Sequence, residues 1–187
     1  MRIISGNLRG KKILSPLDKS TRPLKDMVRE SIFNIIEHSK KESVVIKNSN
    51  VLDLFSGTGS FGIECLSRGA DQVIFFENYK ESIKILKKNI ELLSLNEKIK
   101  IIEEDAYNLG KTNLGLKKFD LIFLDPPFKD SKINDLIELI SYSKIISKKT
   151  LIIIHRNKKI EEKISNKLTI LREKIYGLSK IIFGKIS

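Results

Sequence analysis

The sequence predicts an α/β protein, an open parallel sheet with helices on both faces, carrying a short basic extension at its N-terminal end. Two patterns between residues 50 and 155 predict the sheet. Apolar runs of strand length recur there with little polar alternation, as NVLDLF, QVIFFE, IKIIE, FDLIFLD and TLIIIH, and strands apolar on both sides need cover on both sides. The segments between the runs carry helical periodicity, so strand and helix alternate and parallel pairing follows. The extension rests on a third pattern. Of the seven arginines (Arg2, Arg9, Arg22, Arg29, Arg68, Arg156 and Arg172), four lie in the first thirty residues.

Taken in order, residues 1–14 read as two short strands around Gly6 and Gly10, a basic hairpin or arm. From Leu24, apolar residues recur at Met27, Val28, Ile32, Ile35 and Ile36, and Pro23 marks the start of this amphipathic helix. After a polar loop, strands are expected at 50–55, 72–77, 99–103, 119–125 and 150–155. Helices fall between them, the clearest at 79–94 with Ile83, Leu86, Ile90 and Leu93 on one face. LTILREKIY and SKIIFGKI flank Gly177 and read as a closing antiparallel hairpin. There is no repeat and no low-complexity linker, and the expected division is an extension over 1–40 and a main domain over 41–187.

A chain of 187 residues can bury a real core without disulfides. The single cysteine, Cys65, sits in an apolar helical stretch and reads as a buried thiol in a reducing compartment. No apolar run approaches membrane-spanning length and residues 1–15 lack the apolar block of a signal peptide, so a cytoplasmic protein with no membrane partner is expected. The net charge of +12 suggests a polyanion as partner, although overuse of Lys, Ile, Asn and Ser points to base composition as a second source of the lysines. The clustered arginines are more informative, and Arg2, Arg9, Lys11, Lys12, Arg22 and Arg29 are the candidates for phosphate contacts.

DLFSGTGSFGIE (53–64) links the first parallel strand to its helix and contains Gly57-x-Gly59-x-x-Gly62. In a nucleotide-cofactor site the first glycines admit backbone close to the ligand and the last packs helix on strand. Asp53 at the strand end would repel a pyrophosphate but suits a cation such as the methionine ammonium of S-adenosylmethionine. Glu77 closes the next strand, where an acid accepts both ribose hydroxyls. At the third strand end Asp105, before Ala106, could accept from the adenine amino group.

LIFLDPPFKD (121–130) ends the fourth strand beside the switch point, where ligands of open sheets bind. Its chemistry suits attack by an exocyclic amino group, whose lone pair is delocalised into a base ring. The Asp125 carboxylate and Pro126 carbonyl can accept its N–H bonds and stabilise the developing positive charge. Prolines fix φ and bring no competing N–H, and Phe128 offers a ring face to a flipped-out base. His38 and His155 have no cysteine or acidic partner at ligand spacing, so no metal is expected.

These residues resemble the S-adenosylmethionine-dependent methyltransferases with an (Asn/Asp)-Pro-Pro-(aromatic) motif. Within them the chain is similar to the small bacterial enzymes that methylate guanine N2 in 16S ribosomal RNA. RIISGNLRGKKILSP (2–16), TRPLKDMVRESIFNII (21–36), LSRGADQVIFFE (66–77) and REKIYGLSKIIF (172–183) carry the likeness over nearly the whole chain. It departs at Asn78, where an aspartate is commoner, and in the featureless loop GKTNLGLKKF. The resemblance implies a Rossmann-like seven-stranded methyltransferase sheet, S-adenosylmethionine as methyl donor, and a monomer acting on 16S rRNA of the small ribosomal subunit. It implies Asp125, Pro126, Pro127 and Phe128 as the catalytic set, and Asp53, Phe55, Gly57, Gly59, Glu77, Asn78, Asp105 and Ala106 around the cofactor. An adenine-N6 DNA methyltransferase, an inactive RNA-binding assembly factor and an NAD-linked oxidoreductase are the rivals. The N-terminal block and the absence of an added target-recognition domain disfavour the first, the intact motifs the second, and Asp53 the third.

Overall fold

In strand β1 (Asn50–Leu54), Val51 belongs to one apolar layer and Leu52 and Leu54 to the other, which is why the run shows so little polar alternation. The same two-sided division runs through β2 (Gln72–Phe76), β3 (Ile99–Ile102), β4 (Leu121–Leu124) and β5 (Leu151–Asn157). A computed structural model describes residues 1–15, 24–42, 44–115 and 118–187. Its sheet has seven strands in the order β3-β2-β1-β4-β5-β7-β6, with β6 (Leu168–Tyr176) and β7 (Ser179–Ile186) closing the chain. β1 to β5 are parallel to their neighbours among themselves, and β7 runs antiparallel to both β5 and β6. The chain winds outward to β3 and returns to place β4 beside β1, so the switch point lies between β1 and β4.

Helices α1 (Asp26–His38), α2 (Ser60–Ser67) and α3 (Lys80–Leu92) cover one face with Ile32, Phe33, Phe61, Leu86 and Ile90. Helix α4 (Ile133–Tyr142) and a 3₁₀ turn over Ala106–Lys111 cover the other with Leu136, Ile137, Ile140 and Leu109. Expected strand ends shift inward: the strands stop at Leu54, Phe76, Ile102 and Leu124, and the residues after them begin the loops at the top of the sheet. β5 instead extends beyond expectation to Asn157, since β7 pairs with it from Gly184↔Ile152 to Ser179↔Asn157. A partner more than twenty residues away supplied that extension.

The N-terminal hairpin is realised as a curled arm rather than regular strands. It is bridged at Arg2↔Lys12, supported by Ile3 N–H to Lys11 O at 2.9 Å and Gly10 N–H to Ile3 O at 2.9 Å. Other donors of the arm turn to the body of the protein. Ile4 and Ser5 N–H reach the Glu64 carboxylate at 2.8 and 2.9 Å, and Asn7 N–H reaches Ser67 O at 2.8 Å. Leu14 N–H reaches the side chain of Asn89 on α3 at 2.8 Å. Ile3 and Ile13 are buried in the same layer as α1.

Gly6 makes this docking possible. It has φ +81°, and a Cβ there would sit 1.9 Å from the Ser67 carbonyl oxygen. Gly6→Ala should therefore lift the arm at a cost of about 1–3 kcal/mol, lowering the melting temperature by roughly 2–4 °C per kcal/mol. Gly10→Ala is the control, because it has φ +83° but no atom within 4 Å of a Cβ. Calorimetric melts that show equal losses for both variants would mean that the close approach to Ser67 is not what holds the arm.

Candidate functional site

A cleft of about 390 Å³ opens at the carboxyl ends of β1, β2, β4 and β5. It brings together Asp53, Phe55, Gly57, Glu77 and Asn78 with the whole Asp125–Phe128 segment. The tight turn after β1 forms its floor. Phe55 has φ 60°, a left-handed conformation rare for a bulky side chain. Gly57 (φ +55°) presents open backbone, with no atom within 4 Å of a built Cβ. Gly59 and Gly62 instead serve packing: a Cβ would come 2.4 Å from Leu86 Cδ1 at Gly59 and 2.4 Å from the Phe75 ring at Gly62. Gly59 is thus not at the cleft surface, where its spacing suggests it, but beneath it.

The carboxylates are built into this turn. Glu77 accepts from Gly57 N–H at 2.6 Å through one oxygen, and from Asn78 and Tyr79 N–H at 3.0 and 2.8 Å through the other. It therefore fixes the glycine turn as well as facing the cleft. Asp53 is 1% exposed and accepts from Gly62 N–H at 2.9 Å. Burial pushes its carboxyl up to about 8, against the Gly62 hydrogen bond and with help from the charges of Asp125 and Glu77. Among the described residues, three carboxyl groups, those of Glu77 and Asp125 and the proton-retaining Asp53, and no lysine or arginine line the cleft, in a chain of net charge +12. The lining offers acidic groups to a cation and no cationic side chain to a phosphate.

Asp125 follows β4 directly, its N–H donating to Leu54 O at 3.3 Å. Its Oδ1 lies 2.8 Å from His155 Nδ1, and His155 Nε2 lies 2.9 Å from Ser179 Oγ on β7. An ionised carboxylate only accepts, so Nδ1 donates, and a neutral ring accepts the Ser179 hydroxyl at Nε2. Arg156, the next residue, is buried and takes the following loop by its backbone, donating to Asp130 O at 2.6 Å and Pro127 O at 3.4 Å. Glu162 neutralises Arg156 through both of its oxygens. The Phe128 ring meets His155 edge-on at 6.0 Å.

Asp105 and Ala106 stand outside the cleft wall. Asp105 caps the 3₁₀ turn by accepting Tyr107 N–H at 3.0 Å, and Ala106 is buried. Tyr107 is what links that corner to the site: its hydroxyl donates to Asp130 at 2.8 Å and its ring meets Phe55 at 5.8 Å. Burial and the Asp130 carboxylate raise its phenol well above the usual range.

His155, Arg156 and Tyr107 are site residues that the sequence does not announce. The pair Asp125–His155 has one legible signal, the parallel register that sets Leu124 against Ile154 and so places the next residues side by side. Of the basic candidates, Arg2, Arg9, Lys11 and Lys12 are exposed on the arm, while Arg22 lies outside the described residues. Arg29 is a correction. It is 0% exposed, pairing with Asp26 at 3.0 Å and Glu64 at 3.7 Å and donating to Arg2 O, so it ties the arm to α1 and cannot reach a phosphate. Burial lowers its guanidinium from the ordinary value.

A family model described as conserved hypothetical protein 95 matches residues 1–185. A protein of Buchnera aphidicola (subsp. Acyrthosiphon pisum) named ribosomal RNA small subunit methyltransferase D is 35% identical, over 92% of this chain and 86% of its own. One of the same name from Haemophilus influenzae is 32% identical over 95% and 90%. Among solved structures, yhhF of Escherichia coli superposes with a TM-score of 0.83 at 26% identity, covering 100% of this chain and 98% of that one.

The displaced carboxyl of Asp53 has a measurable consequence. Its folded-state value near 8 exceeds the ordinary unfolded value of about 4, so the folded protein holds this proton more tightly. The cost of burying the charge is absent at pH 4, grows as pH rises, and is complete above 8. Asp53→Asn keeps an acceptor for Gly62 and removes the charge. It should melt close to wild type near pH 4 and progressively above it as pH rises to 8, by several kcal/mol at about 1.4 kcal/mol per pH unit, each worth some 2–4 °C. A gap that does not change with pH would show that the charge is not the cause.

Proposed function

The chain belongs to the family described as conserved hypothetical protein 95, and from that premise we propose that it transfers a methyl group from S-adenosylmethionine to the exocyclic N2 amino group of a guanine in 16S ribosomal RNA. One observation carries the reading: a cleft walled by Asp53, Glu77 and Asp125, with no lysine or arginine among its described residues, inside a strongly basic protein. S-adenosylmethionine is a cation that brings a methyl group on a sulfonium, and this wall suits it where it would repel a dinucleotide pyrophosphate. Glu77 would hold its ribose, and its ammonium would favour the ionised form of Asp53 beside it, the displaced proton going to solvent. Gly57 and Phe55 would lie against the nucleoside, with Asn78 at the rim and the Asp105–Ala106 corner held towards it by Tyr107. Names of relatives support ribosomal RNA of the small subunit as the substrate.

The mechanism follows from how Asp125 is held. His155 occupies one carboxylate oxygen and Ser179 fixes the ring, leaving the second oxygen for the incoming amino group. That N–H bond and one to the Pro126 carbonyl favour a pyramidal nitrogen whose lone pair can attack. Bound in the cleft, S-adenosylmethionine would supply the methyl group, and the nitrogen that accepts it would gain positive charge beside Asp125, which is fixed in place to stabilise it. Asp125 would also accept the proton then released. Phe128 stacks the extruded base, and Arg156 and Tyr107 hold the loop that carries it. The exposed arm, part of a 1–40 extension on the 41–187 methyltransferase domain, lies on RNA phosphates through Arg2, Arg9, Lys11 and Lys12.

Mass mapping of modified nucleotides in small-subunit RNA, from cells with and without the gene, should show one N2-methylguanine that depends on it; N6-methyladenine instead would overturn the choice of base. In single-turnover assays Asp125→Ala should lower kcat by about 10²–10³, with binding of S-adenosylhomocysteine changed only a few-fold. His155→Ala should give a smaller loss in kcat with KM nearly unaltered. An active Asp125→Ala enzyme sinks the mechanism.

Joint substitution of Arg9, Lys11 and Lys12 by alanine should weaken RNA binding and flatten its log–log salt dependence by roughly 0.7–0.9 for each phosphate no longer neutralised. Cofactor binding should not move, since these side chains project from the arm and not into the cleft. An unaltered slope would assign the arm another task.

A further inference from the structure

We propose that a groove on the far side of Phe128, between the start of α1 and the β6–β7 turn, holds the nucleotide next to the target guanine in an unpaired RNA strand. The inference rests on the RNA-methylating reading above and adds a subsite to it. The groove is a pocket of about 170 Å³ lined by Lys25, Tyr176, Gly177, Leu178 and Ser179, and it shares Phe128 and His155 with the main cleft. A strand whose target base enters beside Phe128 must therefore lead its neighbour into this groove or away from the protein.

Its chemistry is the reverse of the main cleft. Among the described residues it is lined by a cation, Lys25, and by no carboxylate, so it tolerates the phosphate that the cleft excludes. The turn itself is held to the end of β5, where the backbone N–H of Lys158 donates to Leu178 O at 2.9 Å. The ring of Tyr176 and the side chain of Leu178, 40% exposed, offer an apolar seat for a base. Gly177 completes it: with φ +61° and no atom within 4 Å of a built Cβ, the turn leaves open backbone at the groove mouth. Cation, ring and open backbone together are how single strands are held without base readout.

The groove also has a reason to be where it is. Ser179, in its wall, hydrogen-bonds the His155 that holds Asp125. Occupancy of the groove and the placement of the catalytic carboxylate thus share one element.

The test uses the full chain and a short single-stranded RNA with one central guanine, intact or with an abasic sugar on one or other side of it. Leu178→Glu and Lys25→Glu, both surface substitutions, should each weaken the intact RNA by about ten-fold, within the range for removing one stacked base or one neutralised phosphate. S-adenosylhomocysteine should bind them as it binds wild type. One of the two abasic RNAs should bind wild type about ten-fold more weakly than intact RNA, and Leu178→Glu should lose nothing more on that RNA. If the abasic loss persists in full in Leu178→Glu, or the variants bind intact RNA normally, the groove is not the subsite. Variants weakened only towards small-subunit particles, and not towards RNA alone, place a protein there and overturn the proposal. A wild-type protein that binds none of the RNAs overturns both the groove and the substrate reading.

Discussion

The Glu64 carboxylate has no exposed surface, and four donor groups surround it. Ile4 and Ser5 bring backbone N–H groups, Arg68 brings its Nε at 2.9 Å, and Arg29 stands at 3.7 Å. A buried carboxylate without such partners costs several kcal/mol, so arm, α1 and α2 have to assemble around it together. Two residues earlier on the same helix, Gly62 gives its N–H to Asp53. Helix α2, all of it buried, is thereby held from outside by the arm and from inside by the site. The position of the cleft floor and the position of the basic arm are consequences of one packed helix.

Charge is distributed with the opposite sign to the bulk. The surface of the chain is basic, while the cleft gathers Asp53, Glu77 and Asp125. Two of these carboxylates also take backbone N–H groups from the glycine turn and α2, so the groups that would attract a cationic ligand also shape the loop that receives it. On the proposed function, that arrangement would let one small site discriminate: a phosphate-bearing polymer would be drawn to the arm and groove, and only the methyl donor and an uncharged base would suit the interior.

The DPPF segment is rigid from behind. Prolines restrict its backbone, Arg156 reaches over from β5 to its carbonyls, and Tyr107 reaches under from the 3₁₀ turn to Asp130. A catalytic acceptor gains from such support because electrostatic stabilisation of a transition state depends on partners already in place before charge develops.

By itself the sequence determined the layered α/β architecture, the closing antiparallel hairpin, the glycine turn and the acid–proline–proline–aromatic strand end. These are local signals: apolar period, turn residues and strand-end composition act over a few residues, and Asp53, Gly57, Glu77 and Asp125 were legible for that reason. Tertiary structure alone decided the rest. The partnership of His155 with Asp125 and Ser179 depends on the register of β5 between β4 and β7, and the groove beside Phe128 depends on where the β6–β7 turn meets α1. Arg29 was misread as an RNA contact because a basic cluster looks the same in sequence whether it faces solvent or a buried Glu64. Side-chain roles of that kind are set by long-range pairing, and the charge of a residue does not say which carboxylate the fold will bring to it.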